Sequence, residues 1–429
     1  AAMLPEWEDL REHASEIKEH TLTHLADYLD EFSRNLESNG VIVHWAKDAQ
    51  EFNEIAYSIL AEHNVKKLVK SKSMLTEECE MNQYLIAKGI DVVETDLGER
   101  ILQLMNLKPA HIVVPAAHIT RDEVGELFEK DGISKDIGNH DPTYLTQCAR
   151  YSLRQEFIEA DAGMTGCNFG VASTGDCVVC TNEGNADMST SIPKLHIVSM
   201  GIDKVIPNYD ALAVFQRLLA RSATGQPSVS FTSQFRKARP GAEMHVILVD
   251  NGRSNIIADQ LHWRTAKCIR CGACMNTCPV YRRSMGYSYN YFIPGPIGIN
   301  LGMVHNPKKH SGNVSACSLC LSCDLVCPVK VAPGSQIYYW RQALEGFGTD
   351  NKEKKYMSVA MTELYEHPAI YSVATKYAHF ANIIPQKMMD VKLNTWSVGH
   401  DMPHFPKKTF HTLYKQMMEE EKEKEKGIK

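Results

Sequence analysis

Several familiar signatures are missing from this 429-residue chain, and each absence removes a class of function. No G-x-G-x-x-G follows a predicted strand, so the glycine turn that brings a dinucleotide pyrophosphate close to the backbone is absent. The 18 histidines include no H-E-x-x-H or comparable pair, which leaves no zinc-hydrolase reading. No apolar run approaches the roughly 18 residues that cross a bilayer. The opening Ala1-Ala-Met-Leu-Pro-Glu-Trp-Glu-Asp9 has neither the basic nor the apolar segment of a secretory signal. We therefore expect a cytoplasmic protein that meets a membrane only through partners. Basic excess is absent too: a net charge of -6 gives no footprint for nucleic acid.

What the chain has is cysteine. Two runs stand out, Cys268-Ile-Arg-Cys271-Gly-Ala-Cys274-Met-Asn-Thr-Cys278-Pro279 and Cys317-Ser-Leu-Cys320-Leu-Ser-Cys323-Asp-Leu-Val-Cys327-Pro328. Both follow C-x2-C-x2-C-x3-C-P, the ferredoxin spacing. Three close thiolates wrap one iron-sulfur cubane, and the fourth, carried off by the Cys-Pro turn, serves the neighbouring one. Cys268, Cys271, Cys274 and Cys327 are thus expected to hold one [4Fe-4S] cluster, and Cys317, Cys320, Cys323 and Cys278 the other. Structural zinc uses two C-x-x-C pairs with a spacer, which leaves the third cysteine of each run and both Cys-Pro endings without a role. Crowded cysteines in a long chain without a secretory signal also argue against disulfides.

Periodicity divides the rest. Residues 8–39 read as one helix, with Leu22, Leu25, Leu29, Phe32 and Leu36 on one stripe and Gly40 as its stop; the stripe packs on the same chain or on a partner helix. Strands and helices then alternate: strands at 41–45, 67–70, 90–94 and 111–114, helices at 47–63, 75–88 and 142–159. Apolar strands alternating with helices predict an open, mainly parallel α/β sheet covered on both faces. Ala160 to Asn185 reads as a hairpin excursion, followed by strands at 194–200, 204–207, 228–232 and 244–249 and a helix at 209–221. We place an N-terminal helix at 1–40, the α/β domain at 41–259, an α-helical, ferredoxin-like dicluster module at 260–335 with a Gly/Pro-rich insertion at 292–302, and a mainly helical region at 336–429. The charged end, 419–426, reads as a solvated helix end or a frayed tail.

Ligands of parallel sheets sit at the carboxyl ends of strands, and two stretches end there. Val69-Lys-Ser-Lys-Ser-Met74 runs from strand into helix, where Lys70, Lys72 and backbone N–H groups suit a carboxylate or phosphate; it also reads as a capped helix start with solvated lysines. Ser173-Thr-Gly175 with Thr181-Asn-Glu-Gly-Asn185 offers donors and acceptors around glycines, and a partly buried Glu183 suits a base; a plain hairpin turn is the other reading. Cys177 and Cys180, three apart in a strand, point to opposite faces, so with Cys167 they read as structural thiols.

Taken together, Lys70-Ser-Lys-Ser-Met-Leu-Thr-Glu-Glu78, Thr181-Asn-Glu-Gly-Asn185, Ser199-Met-Gly-Ile-Asp-Lys-Val-Ile-Pro207, Leu248-Val-Asp-Asn-Gly-Arg-Ser254, Trp396-Ser-Val-Gly-His-Asp-Met-Pro403 and the cysteine runs carry a resemblance. Over nearly its whole length the chain resembles the lactate utilisation protein B family, the iron-sulfur component of a three-subunit lactate utilisation system. The resemblance implies a lactate-utilisation domain related to sugar-phosphate-isomerase and CoA-transferase-like folds, two [4Fe-4S] clusters and a C-terminal region particular to that family. It also implies oxidation of L-lactate to pyruvate together with lactate utilisation proteins A and C. On that basis Glu183 is a candidate catalytic base, and Lys70, Lys72, Asn182 and Asn185 are candidate substrate-binding residues. Two alternatives remain open: a docking and relay adaptor without substrate, and a ferredoxin-like subunit of a heterodisulfide-reductase-type enzyme.

Overall fold

The computed structural model describes residues 4–347, 352–389, 400–401 and 403–427, and the chain forms two compact units, Ala1–Ala343 and Leu344–Lys429. Ten strands occur among the described residues: β1 (Ile42–Ala46), β2 (Lys67–Lys70), β3 (Asp91–Glu94), β4 (Ala162–Gly166), β5 (Phe169–Val171), β6 (Asp176–Thr181), β7 (Leu195–Gly201), β8 (Val205–Ile206), β9 (Phe231–Phe235) and β10 (Glu243–Val249). Six form a wholly parallel sheet in the order β1-β10-β7-β4-β2-β3. The other four form a smaller mixed sheet, β8-β5-β6-β9.

The large sheet is buried on both sides because its short apolar strands send successive side chains to opposite faces. In β2, Leu68 joins Phe52, Leu60, Met81 and Leu85, while Val69 meets Val93, Leu153 and Phe157. In β7, Ile197 belongs to the first of these cores, and Val198 packs with Phe32 and Leu36.

The expected helix 8–39 is two, α1 (Trp7–Thr23) and α2 (Leu25–Ser38), broken at His24. Side chains of Thr21, Thr23 and His24 bond carbonyls four residues back at 2.6–2.9 Å, a pattern that bends helices. Of the expected stripe, Leu22 is buried at the end of α1, Leu25 is half-buried, and Leu29, Phe32 and Leu36 are buried on α2 against their own chain; the rest of the buried face of α1 is mostly polar, Arg11, Ser15, Lys18 and Thr21 with Ala14. α3 (Ala49–Glu62) falls where expected, but the helix at 75–88 splits into α4 (Met74–Glu78) and α5 (Met81–Ala87) around Glu80, whose φ is 50°.

His111 to Val114 is not a strand. The turn lies between Pro109 and Pro115, and His111 Nδ1 accepts from the N–H groups of Val113 and Val114 at 3.0 and 3.1 Å, giving that backbone a partner other than a sheet. Two helices that periodicity did not reveal flank this loop, α6 (Leu97–Met105) and α7 (Arg121–Lys130); α8 (Pro142–Glu159) follows as expected. The excursion after Ala160 contains the expected hairpin, β5 against β6, but opens with β4, a central strand of the large sheet. Gly163 permits this, since a Cβ there would lie 1.6 Å from the carbonyl oxygen of Ser189. The strand expected at 228–232 is β9, shifted to Phe231–Phe235 and paired in the small sheet.

In the cysteine-rich part, the Gly/Pro-rich insertion is a helix, Gly295–His305, buried on every side from Gly295 to Met303. The second unit contains helices at Lys352–Glu366, Pro368–Tyr377, Gln386–Met389 and Phe410–Gly427. Among its described residues from Lys355 onward none is buried, although Tyr356, Tyr365, Val373 and Phe380 are among them. Most of the Trp396 to Pro403 stretch lies outside the described residues. No described helix is long and apolar enough to cross a membrane.

Candidate functional site

A cavity of about 320 Å³ opens at the carboxyl ends of β2, β4 and β7, the position that parallel-sheet topology predicts. Its walls come from Ser71 to Leu75 after β2, Gly166 to Asn168 after β4, Thr181 to Glu183, the start of α9 (Asn185–Ser191), the turn at 112–114 and residues 269–271. The last three are Ile269, Arg270 and Cys271, so the first cysteine loop forms part of the wall.

Four of the five expected substrate and catalytic residues line this cavity: Lys72, Asn182, Glu183 and Asn185. Lys72 Nζ donates to the Val113 carbonyl at 2.8 Å and pairs with Asp96 at 3.2 Å. Burial works most strongly against its charge, but the carboxylates of Asp96, Glu99 and Glu183 together outweigh it and raise its pKa. Glu183 stands at the exposed rim and accepts from Leu97 N–H at 3.4 Å; partial desolvation and then the Asp96 carboxylate push its pKa up. Asn182 bridges to Gln226 at 2.9 Å and to the Ser230 N–H at 3.0 Å. Asn185 is buried and donates to Thr95 Oγ1 at 3.3 Å.

Lys70 is the exception. It is not on the cavity wall; its fully buried ammonium lies 2.7 Å from Glu94, 3.4 Å from Glu77 and 3.0 Å from Thr76 Oγ1. As the last residue of β2 it faces opposite to Val69, into a nest of acids.

Other wall residues escaped the sequence reading. Ser71 is 4% exposed and its hydroxyl has no hydrogen-bond partner. Arg270 Nη1 is buried without a partner as well. Neighbouring Arg253, by contrast, is fully engaged, at 2.8 Å from both Glu78 and Asp203. Lys204 is held by Asp203 and the Cys268 carbonyl at 2.8 and 2.9 Å. Arg270 sits inside the cysteine run, where spacing draws attention to the sulfurs and away from the residues between them.

None of the 13 cysteines is paired in a disulfide. The two runs adopt matching backbones: Arg270 and Leu319 have φ of 59° and 52°, and Gly272 and Leu321 have 76° and 59°. Positive φ at three non-glycine positions is costly. In these loops the N–H groups of Arg270 and Leu319 donate to the Cys268 and Cys317 sulfurs at 3.4 Å, and after the Cys-Pro turns those of Tyr281 and Val331 donate to Cys278 and Cys327 at 3.5 and 3.3 Å. Burial, then Cys327 and Cys268, push the Cys271 thiol well up; burial, then Cys268, Cys271 and Cys327, do so for Cys274. Burial, with Cys278 and Cys320 nearby, likewise raises Cys317. Buried thiols crowded against one another and fed by N–H donors suit thiolate ligation of a cationic iron core. Around them, Arg11 of α1 donates to the Cys327 carbonyl at 2.9 and 3.0 Å, which explains the polar buried face of that helix. Tyr281 Oη donates to the Ala110 carbonyl at 2.6 Å, tying the cavity-wall loop to the same module.

Cys177 points into the core, and Cys180 lines the cavity with Cys167. Burial raises the pKa of Cys180 to about 12, so it stays a thiol.

Comparison with known proteins matches residues 29–250 to the LUD domain, 264–331 to a 4Fe-4S dicluster domain, and 342–419 to the C-terminal region of lactate utilisation protein B. Lactate utilization protein B of Oceanobacillus iheyensis is 38% identical, over 99% of this chain and 91% of that protein. An uncharacterized electron transport protein, YkgF, of Escherichia coli is 35% identical, covering 98% of this chain and 90% of that protein. Among solved structures, a DUF162 family protein from Deinococcus radiodurans is 14% identical with a TM-score of 0.30, covering 52% of this chain and 98% of that one. The chain thus belongs to the lactate utilisation protein B family, and its dicluster domain carries two [4Fe-4S] clusters.

Proposed function

We propose that this chain is the iron-sulfur electron-transfer component of a complex, formed with lactate utilisation proteins A and C, that oxidises L-lactate to pyruvate. The observation that carries this reading is the shared wall: Arg270 and Cys271 of the first cysteine loop line the same cavity as Lys72, Asn182, Glu183 and Asn185. Cys268, Cys271, Cys274 and Cys327 hold one cluster, and Cys317, Cys320, Cys323 and Cys278 the other; the neighbours of Cys271, Cys274 and Cys317 support the crossing. Two one-electron clusters, when bound, match the two electrons that a 2-hydroxy acid gives up on becoming a 2-oxo acid.

The chain's own residues do the rest. Arg270, with Ser71, meets the substrate carboxylate, and Lys72 adds positive charge. Asn182 and Asn185 orient the ligand. Two protons leave with the two electrons: Glu183, with its raised pKa, takes that of the hydroxyl at the cavity rim, and the one from the α-carbon passes to solvent through the open rim. The exposed apolar side chains of the C-terminal unit supply a surface for the partner proteins.

Replacing Lys72 with Met and Glu183 with Gln in the assembled complex tests the assignment. We expect kcat/KM for lactate to fall at least about 100-fold with iron and sulfide content intact, the scale of a lost general base. Unchanged turnover and affinity with intact clusters would remove the substrate site from this cavity. Calorimetric titration of the iron-loaded chain with lactate and pyruvate separates a substrate site, which gives saturable heat, from a docking platform, which gives none.

A further inference from the structure

We propose that His63, Glu243 and His245 bind a divalent transition-metal ion of the zinc class, at a site separate from the clusters. The three lie at the amino ends of the strands, the opposite end of the large sheet from the cavity. Glu243 and His245 open β10, and His63 caps the C-terminus of α3. One donor atom from each lies within 4.8 Å of the other two.

Hydrogen bonding fixes how the rings face. His63 Nδ1 is 2.9 Å from the Ile59 carbonyl, which can only accept. The proton of neutral His63 is therefore on Nδ1, and its Nε2 presents a lone pair. That lone pair faces Glu243 Oε1 at 3.3 Å, acceptor against acceptor unless a proton or a metal ion lies between them. His245 is also tethered from behind, by a partner that can donate or accept: its Nδ1 is 2.9 Å from His44 Nε2, the two rings stack, and Nε2 lies 2.6 Å from Glu243 Oε1, donating to it when His44 donates to Nδ1 and offering a lone pair when Nδ1 carries the proton. Both imidazoles thus have one nitrogen tethered and the other aimed at a common point, the arrangement that orients zinc-ligating histidines.

Two histidines and a carboxylate are also the donor set of three-ligand zinc sites, whose fourth position stays open. Exposed His63 leaves that position facing solvent. With bonds of about 2.0–2.1 Å, tetrahedral donors stand ~3.3 Å apart. The His63–Glu243 distance already matches, and the part-exposed Glu243 side chain needs to move less than about 1 Å from His245.

The test uses the full chain with both clusters loaded, equilibrated with zinc alone and then dialysed. We expect one retained zinc per chain, and a zinc-edge X-ray absorption spectrum with nitrogen and oxygen neighbours at about 2.0–2.1 Å and no sulfur. His63→Ala and Glu243→Gln should each cut zinc affinity at least tenfold, and His44→Phe should weaken it about 10–100-fold through the lost tether, all with unchanged iron. Zinc absent from the wild-type chain, undiminished in His63→Ala and Glu243→Gln, or surrounded by sulfur at about 2.3 Å in the cysteine loops overturns the proposal. In the first case the gap between His63 and Glu243 is bridged by a proton.

Discussion

Lys70 and Lys72 stand one residue apart in the same strand-to-helix stretch and do different work. Lys70 is the buried counter-charge of Glu94 and Glu77. Replacing it with Met strands those acids, and breaking such a pair costs about 3–5 kcal/mol. We expect a matching fall in the urea midpoint of Lys70→Met, whereas the larger effect of Lys72→Met falls on ligand binding. Glu99 belongs to the same nest: both its carboxyl oxygens are buried without partners, and burial followed by Glu94 raises its pKa well above the ordinary 4.5. The folded state therefore holds a proton that the unfolded chain releases, and stability declines as pH rises from about 4.5 through the folded-state value. Glu99→Gln should remove that decline, so thermal midpoints of the two proteins coincide below pH 4.5 and separate in favour of the variant at neutral pH. In the cavity, Arg270→Gln should weaken pyruvate binding about 10–100-fold, the equivalent of a charged hydrogen bond worth ~1.5–3 kcal/mol, with iron content unchanged by analysis.

Among the elements, the helix Gly295–His305 shows how composition conceals a role. Its glycines and prolines resemble a linker in the sequence, yet they are what lets it run through the middle of the dicluster module. A Cβ at Gly298 would lie 1.7 Å from the Ile293 carbonyl oxygen, a backbone atom that cannot swing aside. Gly298→Ala should cost at least the ~1–3 kcal/mol of overpacking and lower the iron bound per chain, measured after anaerobic reconstitution. The split of the N-terminal helix has a similar origin. The stripe from Leu22 to Leu36 gives the period but not the bend, which depends on Thr21, Thr23 and His24 bonding back to the helix itself.

For the molecule as a whole, the crossed pairing proposed above makes each cluster depend on the last cysteine of the other run. Cys327→Ser should damage the cluster of the first run, and Cys278→Ser that of the second. Spin-resonance spectra of the reduced proteins would check this, and damage confined to the cluster of the mutated run would refute it. The N–H donors and positive-φ residues repeated in both loops give the clusters similar protein surroundings. Arg270 lies at the first run alone, since Leu319 holds the equivalent place in the second.

By itself the sequence determined what depends on near neighbours. The cysteine spacing, the short apolar strands and the turns around Thr181 to Asn185 act over a few residues, so cluster type, parallel sheet and most of the cavity rim were legible. The turn at His111, the place of β4 in the large sheet and the burial of Lys70 were not, because local propensity was overruled by packing from far along the chain. Only the tertiary structure set Arg270 on the wall of the same cavity as Lys72, and only it brought His63 within reach of Glu243 and His245, 180 and 182 residues away. A pattern in sequence encodes a direction for each side chain; which two side chains share a volume is decided when sheet order and crossovers carry them there.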